Sequence, residues 1–327
     1  GGVPVIDISA YYSGDEAALA ALAREIDRVC TDIGFLVITG HKVPPTVMAD
    51  CASVSRAFFD LPVDDKLACR PEGYSPRGYA PMSQESLAGL DGQMTPPDLK
   101  EAYDMGPFRV GDGPYYADKD IQFAPNIWPT GLPDMQSAWE AYYDAVEDFA
   151  ADMMRLMALA LGLPHEHFDA LLEKGKGISL MRVLNYPDQS EPPKPGQMRA
   201  GEHTDFGTIT VCNIEDKPGG LEVRRKDGSW ASVPVVPGAF VINLGDLMAR
   251  WTNDRWVSTM HRVNNPPPDA HGSTRRQSIV FFHGPTANVE IETIPSCVTA
   301  DNPAKYEPIS YLDYLMMRMA AKTEYAD

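Results

Sequence analysis

The stretch GEHTDFGTITVCNI, residues 201–214, is central to the predicted fold of this chain. It joins a polar segment to a run rich in β-branched residues, which favour strands. Similar short alternating runs, separated by turn residues, recur throughout the second half of the chain. They lie at 178–186, 207–214, 220–225, 232–236, 239–244, 258–263, 276–283 and 288–294. Many short strands without intervening helices predict a sandwich or jelly roll.

The rest of the chain is predicted to be mainly helical. Apolar residues recur with helical spacing at 15–33, 44–61, 133–161 and 309–320. Short β-rich runs at 3–8 and 34–40 predict two further strands. Residues 70–130 are rich in Gly, Pro, Tyr and Asp and show little periodicity. This composition predicts an irregular segment, either a surface meander or a loop that covers a substrate.

The predicted fold class is mainly β with α (α+β), with a sandwich or jelly-roll core, a helical N-terminal region and a C-terminal helix. We divide the chain into an N-terminal region, a long helix with its connection, the β core and the final helix, at 1–120, 121–175, 176–295 and 296–327. No polar linker separates the two halves. We therefore do not expect them to fold independently.

The composition limits the classes of partner. The 327 residues are 44% hydrophobic and 23% charged, as in a soluble globular protein. Lys and Arg number 28 against 46 Asp and Glu, which gives a net charge of −18. Such an acidic surface repels phosphate backbones and anionic lipid, so we expect neither nucleic acid nor membrane as a partner. The oligomeric state is not predicted.

The cysteines and the first residues bear on the compartment. The five cysteines are scattered, odd in number and without a CxxC pair. This pattern favours reduced thiols over disulfides or a zinc site. Residues 1–7 contain no basic region followed by an apolar run, and no stretch approaches the roughly 20 apolar residues of a membrane helix. We therefore expect a cytoplasmic protein.

Two histidines and one aspartate form a candidate metal site. In an extended segment, residues two apart face the same side, so His203 and Asp205 point into one space. A second imidazole, from His261 in the run 258–263, would complete a 2-His-1-carboxylate set that leaves positions open on Fe(II). By itself the His-x-Asp pair is a weak signal. A strand histidine paired with its neighbouring carboxylate explains that pair more simply.

Two other predicted strands carry polar residues on one face. Arg276, Ser278 and Phe282 share a face of the run 276–283. A buried guanidinium is costly unless it meets an anion, and a guanidinium beside a hydroxyl suits a carboxylate. A structural salt bridge would satisfy the same arginine.

The run 178–186 places Arg182, Leu184 and Tyr186 on one face. The tyrosine can donate to a ligand carboxylate or simply pack in the core. An inward Arg182 requires a partner, which is either the substrate or an acid of the core.

The set His203-x-Asp205, His261 and Arg276-x-Ser278 resembles the Fe(II)- and 2-oxoglutarate-dependent dioxygenases. More narrowly, it resembles the branch with isopenicillin N synthase, plant flavonoid and hormone oxygenases and fungal thymine hydroxylase. The similarity extends to stretches across nearly the whole chain, at 4–7, 34–35, 219–223, 237–246, 251–254 and 261–263.

The resemblance implies a double-stranded β-helix with Fe(II) inside, held by His203, Asp205 and His261. It further implies that Arg276 and Ser278 hold the distal carboxylate of the cosubstrate 2-oxoglutarate, with Tyr186 as a third contact. Many plant members have an asparagine where this chain has Leu184, so that polar contact is missing here.

The implied reaction consumes O2 and 2-oxoglutarate, releases succinate and CO2, and most simply hydroxylates a C–H bond of a small-molecule substrate. Phe206, Phe282 and the loops of 70–110 would supply apolar walls, and Arg182 a polar anchor. The sequence does not distinguish hydroxylation from desaturation or ring closure, and it does not identify the substrate.

Three alternatives remain at this point. Isopenicillin N synthase uses its Arg-x-Ser pair for a peptide substrate and needs no 2-oxoglutarate, so an oxidase or cyclase of that type is one. Bacterial ethylene-forming enzyme shares the triad and a similar run at 181–184. A non-catalytic sandwich that binds a small acid is the third.

Overall fold

The computed structural model describes residues 2–82, 85–88 and 95–324, with side chains as far as residue 319. The helices are α1 (Glu16–Asp32), α2 (Pro45–Phe59), α3 (Val63–Leu67), α4 (Asp134–Ala160), α5 (Asp246–Trp251) and α6 (Tyr311–Glu324). The first ten strands are β1 (Val5–Asp7), β2 (Phe35–Thr39), β3 (Gly78–Ala80), β4 (Glu101–Met105), β5 (Leu180–Tyr186), β6 (Ala200–His203), β7 (Ile209–Ile214), β8 (Leu221–Arg224), β9 (Trp230–Ser232) and β10 (Phe240–Leu244). The others are β11 (His261–Val263), β12 (Arg276–Phe282), β13 (Glu290–Ile291) and β14 (Ile309–Ser310).

The strands form two main sheets with a cavity between them. The larger sheet has the order β1-β2-β10-β7-β12-β5-β4-β3, and the smaller has the order β6-β11-β8-β9. Strands distant in sequence pair antiparallel, as β12 does with both β5 and β7. Only the β1–β2 pair is parallel among the described strands. This arrangement matches the predicted mainly β core.

The helices of the first half pack on the larger sheet. The 27-residue helix α4 buries an apolar stripe, and α1 and α2 pack against it. The stripe follows the i, i+3/i+4 spacing that predicts a helix with one buried face. Trp139 is fully buried and donates through its indole N–H to Ser55 Oγ of α2 at 2.9 Å.

Both edges of the larger sheet come from the first 105 residues. Strands β1 and β2 form one edge, and β3 and β4 form the other. The N-terminal part of the chain therefore completes the sheet that β5, β7, β10 and β12 begin. This sharing of one sheet agrees with the absence of a polar linker in the sequence.

Some element boundaries differ from the prediction. The segment 70–130, predicted to be irregular, contains β3 and β4, which are too short and too uniformly buried to show alternation. The run 232–236 moves to Trp230–Ser232, and the run 288–294 shortens to Glu290–Ile291. Positions 83–84 and 89–94 of the expected covering loops lie outside the described residues. No helix in the described ranges is both long and apolar enough to cross a membrane.

Candidate active site

The three predicted metal ligands lie close together in the wall of the cavity. His203 ends β6 and His261 begins β11, and the two residues are directly opposite each other in register. Asp205 follows β6 by two residues. Its Oδ1 lies 3.8 Å from His203 Nε2 and 3.7 Å from His261 Nε2. The potential ligand atoms of all three lie within 4.8 Å of one another.

Backbone carbonyls orient both imidazoles. His203 Nδ1 lies 2.7 Å from the Gly201 carbonyl oxygen, and His261 Nδ1 lies 3.0 Å from that of Thr259. A carbonyl only accepts hydrogen bonds, so each Nδ1 carries the proton and donates. Each Nε2 then keeps its lone pair for a metal ion, which is the usual arrangement of metal-binding histidines.

Asp205 presents one oxygen to the imidazoles and has the other bound by the protein. Its Oδ2 accepts hydrogen bonds from Thr210 Oγ1 at 2.6 Å and from Asn243 Nδ2 at 2.7 Å. The sequence analysis missed these two supporting residues. For Asn243 a signal existed, since it is the one polar residue in the buried apolar strand β10.

The protonation states suit a divalent cation. Burial, together with the charge of His261, lowers the pKa of His203 to about 3, so its imidazole is neutral at pH 7. Burial opposes ionisation of Asp205, but His261, His203 and the two hydrogen bonds outweigh it and lower the pKa of that carboxyl. A neutral His203 imidazole beside an ionised Asp205 carboxylate suits the donor set that binds ferrous ion in a facial triad.

A close backbone approach holds the segment that carries Asp205. The Asp246 N–H donates to the Asp205 carbonyl oxygen at 2.8 Å, and the Gly245 N–H donates to that of Thr208 at 2.9 Å. A Cβ on Gly245 would lie 2.1 Å from the Gly207 carbonyl oxygen. Only glycine fits at this position, where the end of β10 meets the ligand loop.

The Arg276 guanidinium is buried without an acid partner. The residue is 1% exposed, and Nη1 donates to Ser278 Oγ at 2.9 Å. Nε donates to the Glu215 carbonyl oxygen at 3.3 Å, and Cζ lies 5.5 Å from the centre of the Tyr186 ring. Within the described ranges no carboxylate pairs with it, so the structural salt bridge considered from the sequence is not found. A buried cation in this state requires an anionic ligand.

One cavity of about 960 Å³ connects these groups and receives side chains from both sheets. All the predicted site residues line it: His203, Asp205, His261, Arg276, Ser278, Tyr186, Arg182, Phe206 and Phe282. The alternation predicted for β5 and β12 is therefore correct. Leu184 lines the same cavity, where many plant relatives would have an asparagine.

Arg182 already has acid partners. Its Nε and Nη2 donate to Asp104 at 2.7 and 2.8 Å, and Nη1 and Nη2 donate to Glu85 at 3.0 and 3.2 Å. The sequence analysis considered two kinds of partner for Arg182, the substrate or an acid of the core. The structure pairs it with two acids of the protein. They belong to the segment 70–130, whose pattern gave no indication of them.

The C-terminal helix α6 lies beside Phe206, one of the predicted apolar wall residues. The Phe206 ring lies 4.5 Å below the Arg318 guanidinium of α6, and Arg318 pairs with Asp246 at 2.8 Å. Four residues of α6 line the cavity: Tyr311, Leu315, Met316 and Met319.

Comparison with known proteins assigns the class. Residues 178–285 match the family described as the 2OG-Fe(II) oxygenase superfamily, and residues 3–131 match the non-haem dioxygenase in morphine synthesis N-terminal family. The chain belongs to the Fe(II)- and 2-oxoglutarate-dependent dioxygenases. It is thus an oxidoreductase that uses iron and 2-oxoglutarate, as the resemblance implied.

Individual relatives cover nearly the whole chain. The 2-oxoglutarate-Fe(II) type oxidoreductase hxnY of Emericella nidulans is 36% identical over 98% of this chain and 90% of its own length. Validamycin A dioxygenase of Streptomyces hygroscopicus subsp. limoneus is 34% identical over 90% of this chain and 80% of its own.

A solved structure confirms the jelly-roll fold. A full-length protein of Neurospora crassa, crystallised in complex with alpha-KG and thymine, is 32% identical to this chain. The two structures superpose with a TM-score of 0.83 over 98% of this chain and 96% of that one.

Proposed function

We propose that His203, Asp205 and His261 bind the ferrous ion. The donor set, the carbonyl bonds that turn both Nε2 atoms toward Asp205 Oδ1, and the lowered pKa of His203 support this assignment. Three ligands on one side leave three positions for the cosubstrate and O2. The protein contribution is to fix the geometry of the ligands before any substrate arrives.

Arg276 and Ser278 bind the distal carboxylate of 2-oxoglutarate, with the Tyr186 hydroxyl as a third donor. The single observation that carries the proposal is that a buried guanidinium without an acid partner opens into the same cavity as the triad. A guanidinium forms two parallel bonds with a carboxylate, and the low dielectric strengthens both. Tyr186 lines the same cavity and lies next to Arg276 in register, so its hydroxyl is placed to donate to the ligand.

The enzyme hydroxylates a C–H bond of a small molecule. When bound, the iron supplies the oxidising chemistry in which O2 and 2-oxoglutarate give CO2, succinate and an oxygen atom for the substrate. The side chains of this chain hold the substrate and exclude water. Phe206 and Phe282 form apolar walls, and Arg182 is a polar contact whose charge Asp104 and Glu85 already balance.

The names of relatives support a small-molecule substrate and a hydroxylation. They include a proline hydroxylase of Petromyces alliaceus and a homoarginine-6-hydroxylase of Glycine max. A cyclising oxidase of the isopenicillin N synthase type is not favoured, because the relatives are named as 2-oxoglutarate-dependent enzymes. We place the chain in the isopenicillin N synthase-like branch on the motifs of its sequence.

The net charge of −18 supports a small-molecule partner rather than nucleic acid, because an acidic surface repels a phosphate backbone. The reducing cytoplasm is the proposed location. All five cysteines are buried and free. Reduced thiols in this number are typical of cytosolic proteins.

The test measures succinate from 2-oxoglutarate under O2 with added Fe(II), across a panel of amino acids, nucleobases and amino sugars. We expect one member to raise succinate release and to gain one oxygen atom, detected by mass spectrometry. The Asp205→Ala variant is the matched control and should form neither product. Substrate oxidation without 2-oxoglutarate would instead assign an oxidase, and ethylene formed with L-arginine would assign an ethylene-forming enzyme.

A further inference from the structure

A second buried arginine lies next to the proposed cosubstrate site. Arg199 is fully buried, and it lies behind the cavity wall rather than in it. Within the described ranges its guanidinium donates only to backbone carbonyl oxygens, those of Pro218 at 2.9 Å, Thr274 at 2.5 Å and Pro187 at 3.5 Å among them. Its Nε has no partner in the described part of the chain. The protein thus buries this cation without neutralising it.

The carbonyls that Arg199 binds belong to the segments that carry the proposed carboxylate site. Pro187 directly follows Tyr186 at the end of β5, and Thr274 precedes Arg276 by two residues at the start of β12. These two strands are paired so that Tyr186 and Arg276 are direct neighbours in register. Arg199 therefore connects the ends of both strands at the point where their ligand-binding side chains lie.

The guanidinium groups of both arginines lie close to the Tyr186 ring. The Cζ atoms of Arg199 and Arg276 lie 5.8 and 5.5 Å from the centre of the Tyr186 ring. Burial and the charge of Arg276 lower the pKa of Arg199 to about 10, which leaves it protonated at neutral pH.

The nearby acid Asp188 is bound by other groups. Its oxygens accept from the Ser273 hydroxyl and from the N–H groups of Thr274 and Arg275. Two buried cations without a paired acid are costly until an anion arrives.

We propose that Arg199 is a positioning residue for the cosubstrate, which fixes Tyr186 and Arg276 from behind and adds a second positive charge at the distal carboxylate. The proposal rests on the assignment of Arg276 to 2-oxoglutarate. It makes the carboxylate site a two-arginine site, in which one arginine contacts the ligand and the other acts through the first and through Tyr186. The sequence MRAGEH, residues 198–203, then contains both a metal ligand and a cosubstrate determinant.

The test separates charge recognition from general stability with two ligands. 2-Oxoglutarate and 2-oxopentanoate have the same chain and the same oxoacid end, but only the first has a distal carboxylate. Their dissociation constants from the iron-loaded enzyme are measured by anaerobic calorimetry, and the ratio of the two constants is the readout. The variants are Arg199→Lys, Arg199→Gln and Arg199→Met, each checked for folding by circular dichroism.

We expect Arg199→Gln and Arg199→Met to lower the preference for 2-oxoglutarate about tenfold, since a charge at this range in a buried site changes binding by that order. Arg199→Lys, which retains the charge but cannot bind all of these carbonyls, should lower the preference by about threefold. Binding of 2-oxopentanoate should change less than twofold in every variant. Lys119→Gln is the matched control, because Lys119 is also a buried cation that donates to a backbone carbonyl oxygen, that of Tyr115, and it does not line the cavity.

Any folded Arg199 variant with the wild-type ratio overturns the proposal, and so does an equal loss of both ligands, which indicates a purely structural role. If the neutral variants do not fold, Arg199→Lys decides the question by the same ratio. Arg276→Met serves as the reference for the underlying assignment. A wild-type ratio in Arg276→Met would refute the cosubstrate site itself, whereas a loss in Arg276→Met alone would refute only the role of Arg199.

Discussion

Thr210 donates a 2.6 Å hydrogen bond to Asp205 Oδ2, the carboxylate oxygen that does not face the histidines. Asn243 donates to the same oxygen from the neighbouring strand β10. The two bonds fix the rotation of the carboxylate, so that Oδ1 points to both Nε2 atoms. The larger sheet thus positions one ligand, and the smaller sheet positions the other two.

Removing these bonds should weaken iron binding without abolishing it. Thr210→Val and Asn243→Leu each delete one donor while keeping a side chain of similar size. We expect each to reduce Fe(II) affinity about 10- to 100-fold, as is usual for groups that orient a metal ligand. Competition with a chelator of known affinity measures the effect. Unchanged iron affinity in both variants would show that Asp205 needs no such support.

Loss of a proposed metal ligand should remove both iron and activity. We expect His203→Ala and Asp205→Ala to purify without bound iron and to release no succinate, while circular dichroism remains that of the parent. The exposed His271 provides the control, since His271→Ala leaves the cavity untouched. Stoichiometric iron in His203→Ala would exclude His203 as a ligand.

The sequence predicted the parts of the site that follow strand alternation. Arg276 and Ser278, or Arg182 and Tyr186, share a face because side chains alternate in any strand, whatever surrounds it. The triad prediction combined the pair His203 and Asp205, two residues apart in an extended segment, with His261 and the family resemblance.

The partners of Arg182 could not be predicted from strand alternation. Asp104 and Glu85 lie 78 and 97 residues away in sequence, in a segment without periodicity. Such pairs depend on which strands become neighbours in the sheet. Strand β4 is buried at every position, so its sequence does not alternate between apolar and polar residues. Alternation therefore could not predict either the strand or the position of Asp104.

Arg276 should determine affinity for the cosubstrate. Arg276→Ala is expected to weaken 2-oxoglutarate binding by about 2–4 kcal/mol, the range for removing one partner of a buried charged pair. The apparent KM for 2-oxoglutarate measures the loss. Arg275→Ala is the matched control, because its side chain points to the opposite face and binds Asp60 and Asn185. An unchanged KM in Arg276→Ala would contradict the cosubstrate assignment.

The buried His283 should make the stability of the metal-free protein depend on pH. Burial lowers the pKa of its imidazole to about 4, and its Nδ1 lies 2.7 Å from Thr208 Oγ1. Below the usual histidine pKa of about 6.5, the unfolded chain takes up a proton that the folded protein resists. The stability contributed by the neutral form is therefore present above pH 6.5 and is lost as the pH falls toward 4.

Between pH 7 and pH 5 this single group should cost about 2 kcal/mol of the free energy of unfolding. His283→Asn retains an amide donor near the Nδ1 position and does not titrate. The free energy of unfolding of His283→Asn should be lower than that of the parent protein at pH 7. Between pH 7 and pH 5 it should fall about 2 kcal/mol less than that of the parent protein. Urea unfolding of both proteins at the two pH values measures the difference. His203 contributes equally to both proteins, so its contribution cancels. Equal pH dependence of the two proteins would mean that His283 titrates normally in the folded state.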